Sequence, residues 1–117
     1  MVLCQIGLAL SEAKIIGQKF GVDPVLLFET LARGSADSFA LRNHGMKSIL
    51  PTEFPARSFS VAYARKDLDY GLRLAGNAGV EAVGAQAVFH LFERAIEAGD
   101  GEKYWPVISQ LVGAYRG

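Results

Sequence analysis

Lys66 and Asp67 are the residues of this 117-residue chain whose types and position are best suited to chemistry. A lysine ammonium on a partly apolar wall can bind an anion, such as a nucleotide phosphate or a substrate carboxylate. The structural alternative is that Lys66 pairs with Asp69 or Tyr70. In that alternative Asp67 pairs with Arg65 or a helix end, and such exposed pairs contribute only about 0–1 kcal/mol. The residues alone do not decide between the two interpretations.

Other residue types that commonly do chemistry are isolated in the sequence. His44 and His90 lie far apart, and neither has a second metal ligand at helical spacing. We therefore expect surface or structural histidines and no metal site. Cys4 is the single cysteine and lies in an apolar run without a nearby base, which favours a buried hydrophobic residue over a nucleophile. The sequence contains neither a P-loop nor a G-x-G-x-x-G motif.

The charge balance argues against polyanionic partners. Twelve basic and twelve acidic residues give a formal net charge of zero, so we expect neither nucleic acid nor a membrane surface as partner. Glu12, Lys14 and Lys19 are expected to form a solvent-facing surface. The apolar N-terminal run lacks a basic leader, which predicts a soluble protein of a reducing compartment. This is the cytoplasm, or the mitochondrial matrix in a eukaryote.

The stretch 59–75 that carries Lys66 and Asp67 has helical spacing with two apolar sides. One side consists of four aliphatic residues: Val61, Leu68, Leu72 and Ala75. The nearly opposite side is mostly aromatic: Phe59, Tyr63, Tyr70 and Leu74. A helix that is apolar on two sides is usually packed by neighbours on both. We therefore predict a central helix near residues 59–77, capped by Ser58 or Ser60 and ended by Gly79.

Helical spacing and glycine or proline punctuation predict an all-α fold of about six helices. Besides the central helix, the predicted helices cover residues 2–20, 24–33, 84–98 and 104–115, and a third helix, capped by Ser35, Asp37 or Ser38, runs to about Leu50. Asp23 can cap the second helix, and Pro24 suits its first position. Gly7 and Gly17 interrupt the first helix and are expected to permit close packing. That helix opens apolar and without a cap, as if it were cut in its middle.

Five short motifs occur in an order that resembles the C-terminal all-α domain of the β-hydroxyacid dehydrogenases. The motifs are Ser11–Ala13, Phe20–Pro24, Gly34–Phe39, Phe59 followed by Lys66-Asp67-Leu68 and Leu74-Ala75, and Gly99–Gly101. The family includes 3-hydroxyisobutyrate dehydrogenase and the glyoxylate and succinic semialdehyde reductases. The resemblance covers nearly the whole chain. It implies a fold like the C-terminal domain of 6-phosphogluconate dehydrogenase.

The resemblance implies that residues 1–117 form one helical domain for substrate binding and oligomerisation, and that the Rossmann domain is absent. Enzymes of this family use NAD or NADP to oxidise a small hydroxyacid or reduce the matching semialdehyde. Their catalytic lysine, and an asparagine one helical turn later, would fall before Met1. We therefore expect no catalytic residue in this chain. We also expect no cofactor bound to the fragment and no activity from it alone.

Three residues take roles from the resemblance. Lys66 matches a lysine that contacts the cofactor, while Phe59 and Asp67 match positions lining the cleft around substrate and nicotinamide. Ser35 and Ser38 match a nearby helix junction and are interpreted as structural. The family's C-terminal domains also form the subunit interface, which implies a homo-oligomer, either a dimer or a tetramer. The alternative is a stand-alone helical dimerisation or interaction module without enzymatic activity.

Overall fold

The computed structural model describes residues 1–56 and 58–113. Within these ranges the chain forms six helices and no strand, which confirms the all-α prediction. The helices are α1 (Val2–Lys19), α2 (Pro24–Ala32), a π-helix (Leu41–Ile49), α3 (Val61–Asn77), α4 (Val83–Glu97) and a 3-10 helix (Trp105–Leu111). The predicted end of the last helix, Tyr115, lies outside the described residues.

The glycine and proline residues predicted to mark helix ends lie largely where they were expected. Gly79 follows α3 with a φ of 70°, and its neighbour Val80 donates its N–H to the carbonyl of Ala75 at 2.8 Å. This Schellman arrangement satisfies the last carbonyls of the helix in a backbone conformation that glycine adopts without strain. Pro24 occupies the first turn of α2, but Asp23 makes no side-chain hydrogen bond as its cap. A proline lacks the N–H that would otherwise need a partner there.

The third helix begins at residue 39, directly after Ser38, which is one of its three predicted caps, and it is wound as a π-helix over Leu41–Ile49. Ser38 accepts a hydrogen bond from the N–H of Leu41 at 2.9 Å, which gives this serine the structural role expected for it. Gly45 lies where a side chain would press on Leu10 and Phe28, at 3.1 and 3.2 Å. The missing side chain lets the wide helix approach α1 and α2 closely.

Two apolar clusters form the core, and α1 contributes to both. The larger lies among α1, α3, α4 and the 3-10 helix and is built around Phe92 and Trp105. The smaller joins α1, α2 and the π-helix: Leu10, Phe28, Leu41 and Ile49. Gly7 faces the ring of Trp105 so closely that a methyl group there would overlap it, which confirms the packing role predicted for this glycine.

The prediction that neighbours pack on both sides of α3 is wrong. Its aliphatic side is buried against α4 and the 3-10 helix through Val61, Ala64 and Leu68. On the other side Tyr63 and Leu74 are 64% and 69% exposed, and nothing in residues 1–56 and 58–113 covers them. The helix that bridges the two core clusters is α1 instead, because its two sides each meet a different set of helices.

Candidate functional site

A groove runs along the N-terminal half of α3. One cavity of about 320 Å³ lies at the start of the helix, and a second of about 210 Å³ lies one turn further on. Both are lined by Tyr63, so they adjoin and form what we call the α3 groove. Its lining residues are Ala56, Ser58, Phe59, Ser60, Ala62, Tyr63, Lys66 and Glu102.

Backbone hydrogen bonds from the segment before the 3-10 helix hold the start of α3. Ser60 caps the helix by accepting the N–H of Tyr63 at 3.2 Å, as predicted for one of the two candidate serines. Val61 and Ala62 donate their N–H groups to the carbonyls of Lys103 and Gly101, at 2.9 and 3.0 Å. The first turn of α3 therefore has protein partners, and its N-terminus is not free to receive an anion through these groups.

Lys66 is exposed, and the ion pairs considered for it are not formed. Asp69 pairs with Arg73 at 2.9 Å and not with Lys66. No other side chain in the described ranges makes a hydrogen bond or salt bridge to the Lys66 ammonium, so the structural alternative for this lysine is wrong in its predicted form. Arg65 likewise does not pair with Asp67, because it contacts Glu93 at 3.4 Å and lies over the ring of Phe89.

The structure brings two of the three predicted site residues to one groove. The Phe59 ring lies 6.0 Å from that of Tyr63, and Tyr63 in turn lines the same cavity as Lys66. Asp67 is exposed but lines neither cavity. Burial is the main cause that raises the pKa of the Cys4 thiol in α1, and the negative charge of Asp67 adds to that rise. The helix thus separates Asp67 from the groove although it is adjacent to Lys66 in sequence.

Six of the lining residues were not predicted as site residues, and the two of these with large side chains are Tyr63 and Glu102. Tyr63 follows Phe59 by four positions and shares its helical face, so the spacing already contained this signal. Glu102 had no such signal, because the backbone bonds of Gly101 and Lys103 to α3 bring it to the groove from about forty positions away in the chain. Glu102 places a carboxylate at the end of the groove opposite Lys66.

The groove suits one side of an elongated ligand that is anionic at one end. Lys66 supplies a mobile ammonium with its donors available, and Tyr63 supplies an aromatic surface beside it. Glu102 can accept hydrogen bonds from hydroxyl groups at the other end. A dinucleotide, which carries phosphates and planar rings, is one ligand of this kind. The described residues that line the α3 groove include no histidine and no cysteine, the residue types that most often serve as base or nucleophile.

Cys4 and His44 lie inside the helical packing and outside the groove. Burial raises the pKa of the Cys4 thiol to about 11, which keeps it protonated and agrees with the prediction of a structural cysteine. His44 forms a hydrogen bond with the Tyr104 hydroxyl and packs 5.4 Å from the ring of Trp105. Burial lowers the pKa of His44. This contact joins the π-helix to the 3-10 helix, a structural role.

Residues 1–56 and 58–113 hold no group of three or more histidine, cysteine or acidic side chains positioned to share a metal ion. Over the same residues, none of the helices has the length and apolar character needed to cross a bilayer.

The fold and the site together define a class of protein: an all-helical domain with an open groove along one helix. Residues 1–107 match the family model described as NAD-binding of NADP-dependent 3-hydroxyisobutyrate dehydrogenase. The match covers most of the chain, and the chain therefore belongs to the β-hydroxyacid dehydrogenase family. A search of curated proteins found no match.

Solved structures share the fold. The 3-hydroxyisobutyrate dehydrogenase of Salmonella typhimurium superposes with a TM-score of 0.83 at 18% identity, over 94% of this chain and 38% of the other. The Mycobacterium tuberculosis 3-hydroxyisobutyrate dehydrogenase, in a structure with L-serine, gives the same TM-score and identity over 97% and 40%. The chain therefore spans about two fifths of the length of these enzymes. At this identity the likeness concerns the fold alone.

Proposed function

We propose that this chain supplies the helical wall of the active-site cleft in an NAD(P)-dependent β-hydroxyacid dehydrogenase. In this proposal Lys66 contacts the anionic cofactor, and Phe59 lines the cleft beside it. The bound nicotinamide supplies the hydride chemistry, and the residues of this chain bind and orient. Asp67 borders the cleft less directly than the motif suggests, since it lies outside the α3 groove.

One observation carries the proposal: Lys66 lies in a groove with an aromatic neighbour and without an acidic partner in the described ranges. A lysine that only supported the helix would be expected to pair with the acidic residues on the same surface. Asp69, the acidic residue considered as its partner, pairs with Arg73. Lys66 therefore keeps its positive charge and hydrogen-bond donors for a ligand, as cofactor binding requires.

The proposal predicts that the 117 residues alone do not turn over substrate. Hydride transfer requires a bound nicotinamide and a positioned proton donor, and the described groove provides one wall with neither. The purified chain should therefore show no oxidation of NADPH or NADH with a small semialdehyde. Turnover above the level of a heat-denatured sample would contradict this part of the proposal.

The coding sequence next to these 117 residues distinguishes the proposal from the alternative module. A segment in the same reading frame that encodes G-x-G-x-x-G and then G-x-x-x-K-x-x-N-N supports the dehydrogenase. A start codon and ribosome-binding site directly before Met1 would favour the stand-alone module.

In a protein that contains both segments, Lys66→Met should raise the KM for NAD(P)H about tenfold with little change in kcat. Arg73→Met, on the same helix, should leave both constants unchanged.

We further propose that the exposed side of α3 takes part in subunit or domain contacts. Tyr70 and Leu74 leave a continuous apolar surface on this helix, which is typical of a covered interface. If copies of the chain associate through it, Leu74→Lys should shift the mass measured by light scattering towards the monomer. Glu97→Lys, at an exposed position on α4, provides the charge-changing control. An unchanged mass for Leu74→Lys would exclude this surface as the contact between copies.

A further inference from the structure

A second cleft lies between α1, the 3-10 helix and the loop that follows the π-helix. Its volume is about 450 Å³, larger than either cavity of the α3 groove. Six residues line it: Lys14, Ile15, Gln18, Thr52, Ser109 and Gln110. We call it the Lys14 cleft. It shares no lining residue with the α3 groove, so its role is separate from the proposed cofactor wall.

Among the described residues that line this cleft, Lys14 alone is charged. Its ammonium donates to the carbonyl of Ile49 at 2.7 Å and lies 3.5 Å from that of Leu50, at the end of the π-helix. The expectation that Lys14 faces solvent is therefore wrong, because the side chain turns inward to these carbonyls. No carboxylate pairs with it in the described part of the chain. Burial lowers the pKa of Lys14, as expected for a cation whose partners are neutral.

The rest of the lining consists mainly of neutral hydrogen-bond donors. Thr52 and Ser109 contribute hydroxyl groups, and Gln18 and Gln110 contribute amides. None of the residues that the structure describes in this lining is an aspartate or a glutamate. A half-buried positive charge among neutral donors attracts an anion, because the anion supplies the charge that the carbonyls do not.

We propose that the Lys14 cleft binds a small oxyanion, either a phosphate or a carboxylate. The ammonium would contact the anion with the N–H that the two carbonyls leave free, since a lysine has three donors. The hydroxyl and amide groups of Thr52, Ser109 and Gln110 would complete its hydrogen bonds. The two carbonyls hold the ammonium in place, so the site needs little rearrangement to receive the ligand.

The competing explanation is that Lys14 only stabilises the end of the π-helix. A lysine near a helix C-terminus commonly bonds the last carbonyls. This explanation predicts a loss of stability when Lys14 is replaced and no ligand. The oxyanion proposal predicts in addition a saturable ligand whose binding depends on Lys14.

The test is a titration of the ¹⁵N-labelled 117-residue chain, followed by amide chemical shifts. Inorganic phosphate and malonate are the two probes, and sodium chloride at matched ionic strength is the reference. We expect saturable shifts at Thr52, Ser109 and Gln110 with one or both probes. The probe that binds more tightly identifies the preferred anion. Shifts that rise linearly to the end of the titration, or that equal those in chloride, would overturn the proposal.

Variants separate a specific site from general charge effects. Lys14→Met should weaken binding at least tenfold, whereas Lys19→Met, which removes an exposed charge from the same helix, should leave it unchanged. Equal weakening by the two variants would overturn the proposal. Thr52→Gly gives a second test that does not threaten the fold, because Thr52 has a φ of 61°, where glycine is not strained. It should weaken binding severalfold through loss of the hydroxyl, and unchanged affinity would exclude Thr52 from the site.

The result is independent of the proposed dehydrogenase role. Lys66→Met should leave phosphate or malonate binding unchanged, since Lys66 is not part of this cleft. If that variant abolished binding, the anion would bind in the α3 groove and the Lys14 cleft would have no assigned ligand.

Discussion

The two apolar sides of α3 have similar hydrophobic content, but one is buried in the core and the other is exposed. The aliphatic side, with Leu68, is closed by α4 and the 3-10 helix. The aromatic side, with Tyr63 and Leu74, is open and carries Lys66 at its edge. One helix therefore separates a side that maintains the fold from a side that the described residues leave exposed. Hydrophobicity alone does not distinguish the two sides.

Paired leucine substitutions test this contrast with the largest expected effect. Leu68 is 1% exposed and Leu74 is 69% exposed on the same helix. Leu68→Ala should lower the free energy of unfolding by about 2–5 kcal/mol, because it leaves a cavity in the larger core cluster. Leu74→Ala should change it by less than about 0.5 kcal/mol. Urea unfolding of both variants measures the difference, and comparable losses would show that the second side is also covered.

Cys4 extends the comparison to pH, because it belongs to the core cluster that meets the aliphatic side of α3. Burial raises the pKa of its thiol from 9.0 to about 11. The fold therefore favours the neutral thiol, and this stabilisation is complete below pH 9 and is lost as the pH rises towards 11. The loss should reach about 2 kcal/mol. Unfolding free energies at pH 8 and 10.5 should thus differ more for the native chain than for Cys4→Ala, and equal differences would contradict the burial.

Two glycines provide a smaller contrast between closed and open surroundings. Gly7→Ala should lower the free energy of unfolding by about 1–3 kcal/mol, because the added methyl group meets the rigid ring of Trp105. Gly76→Ala, in α3, meets nothing within 4 Å and should raise stability by about 0.5–1 kcal/mol through helix propensity. Thermal unfolding of the two variants should therefore show a lower Tm for Gly7→Ala and a higher Tm for Gly76→Ala. A destabilised Gly76→Ala would indicate a close neighbour on that surface.

Ser60 and Ser58 sharpen the comparison at the start of α3, where the smallest effect is expected. Ser60→Ala removes the hydroxyl that accepts the N–H of Tyr63 and should lower stability by about 1 kcal/mol. Ser58 also lines the groove but makes no cap, so Ser58→Ala should change stability by less than about 0.5 kcal/mol. Equal losses would show that the cap does not set the start of the helix. Urea midpoints of the two variants decide the point.

Much of the fold could be predicted because local signals coincide. Helical spacing, Pro24 at the start of α2 and Gly79 after α3 each mark a boundary that the structure shows within a few residues. The windings of the π-helix and the 3-10 helix could not be predicted, because local preferences do not separate them from an α-helix. In the π-helix, the close approach of Gly45 to Leu10 and Phe28 is a tertiary condition that no local pattern contains.

The candidate site was predictable only where it follows helix geometry. Phe59 lies two residues before the start of α3 and Lys66 lies within the helix, and their spacing of seven already predicted that they share a surface. Which of the two apolar sides of that helix is covered depends on the packing of distant segments. Glu102 and Lys14 depend on partners far away in the chain, and the carbonyl that holds Lys14 belongs to a residue 35 positions later. Such contacts leave no pattern in the local sequence.

Trp105 is the only tryptophan in the chain, and it is 1% exposed. Its fluorescence is therefore an intrinsic reporter of the core, with no added label. The His44 ring lies 5.4 Å away, and a protonated imidazole next to an indole quenches its emission. Because burial lowers the pKa of His44, the emission should stay bright to a lower pH than it would beside a free histidine. A single optical signal thus follows both the integrity of the fold and the charge of one half-buried ring.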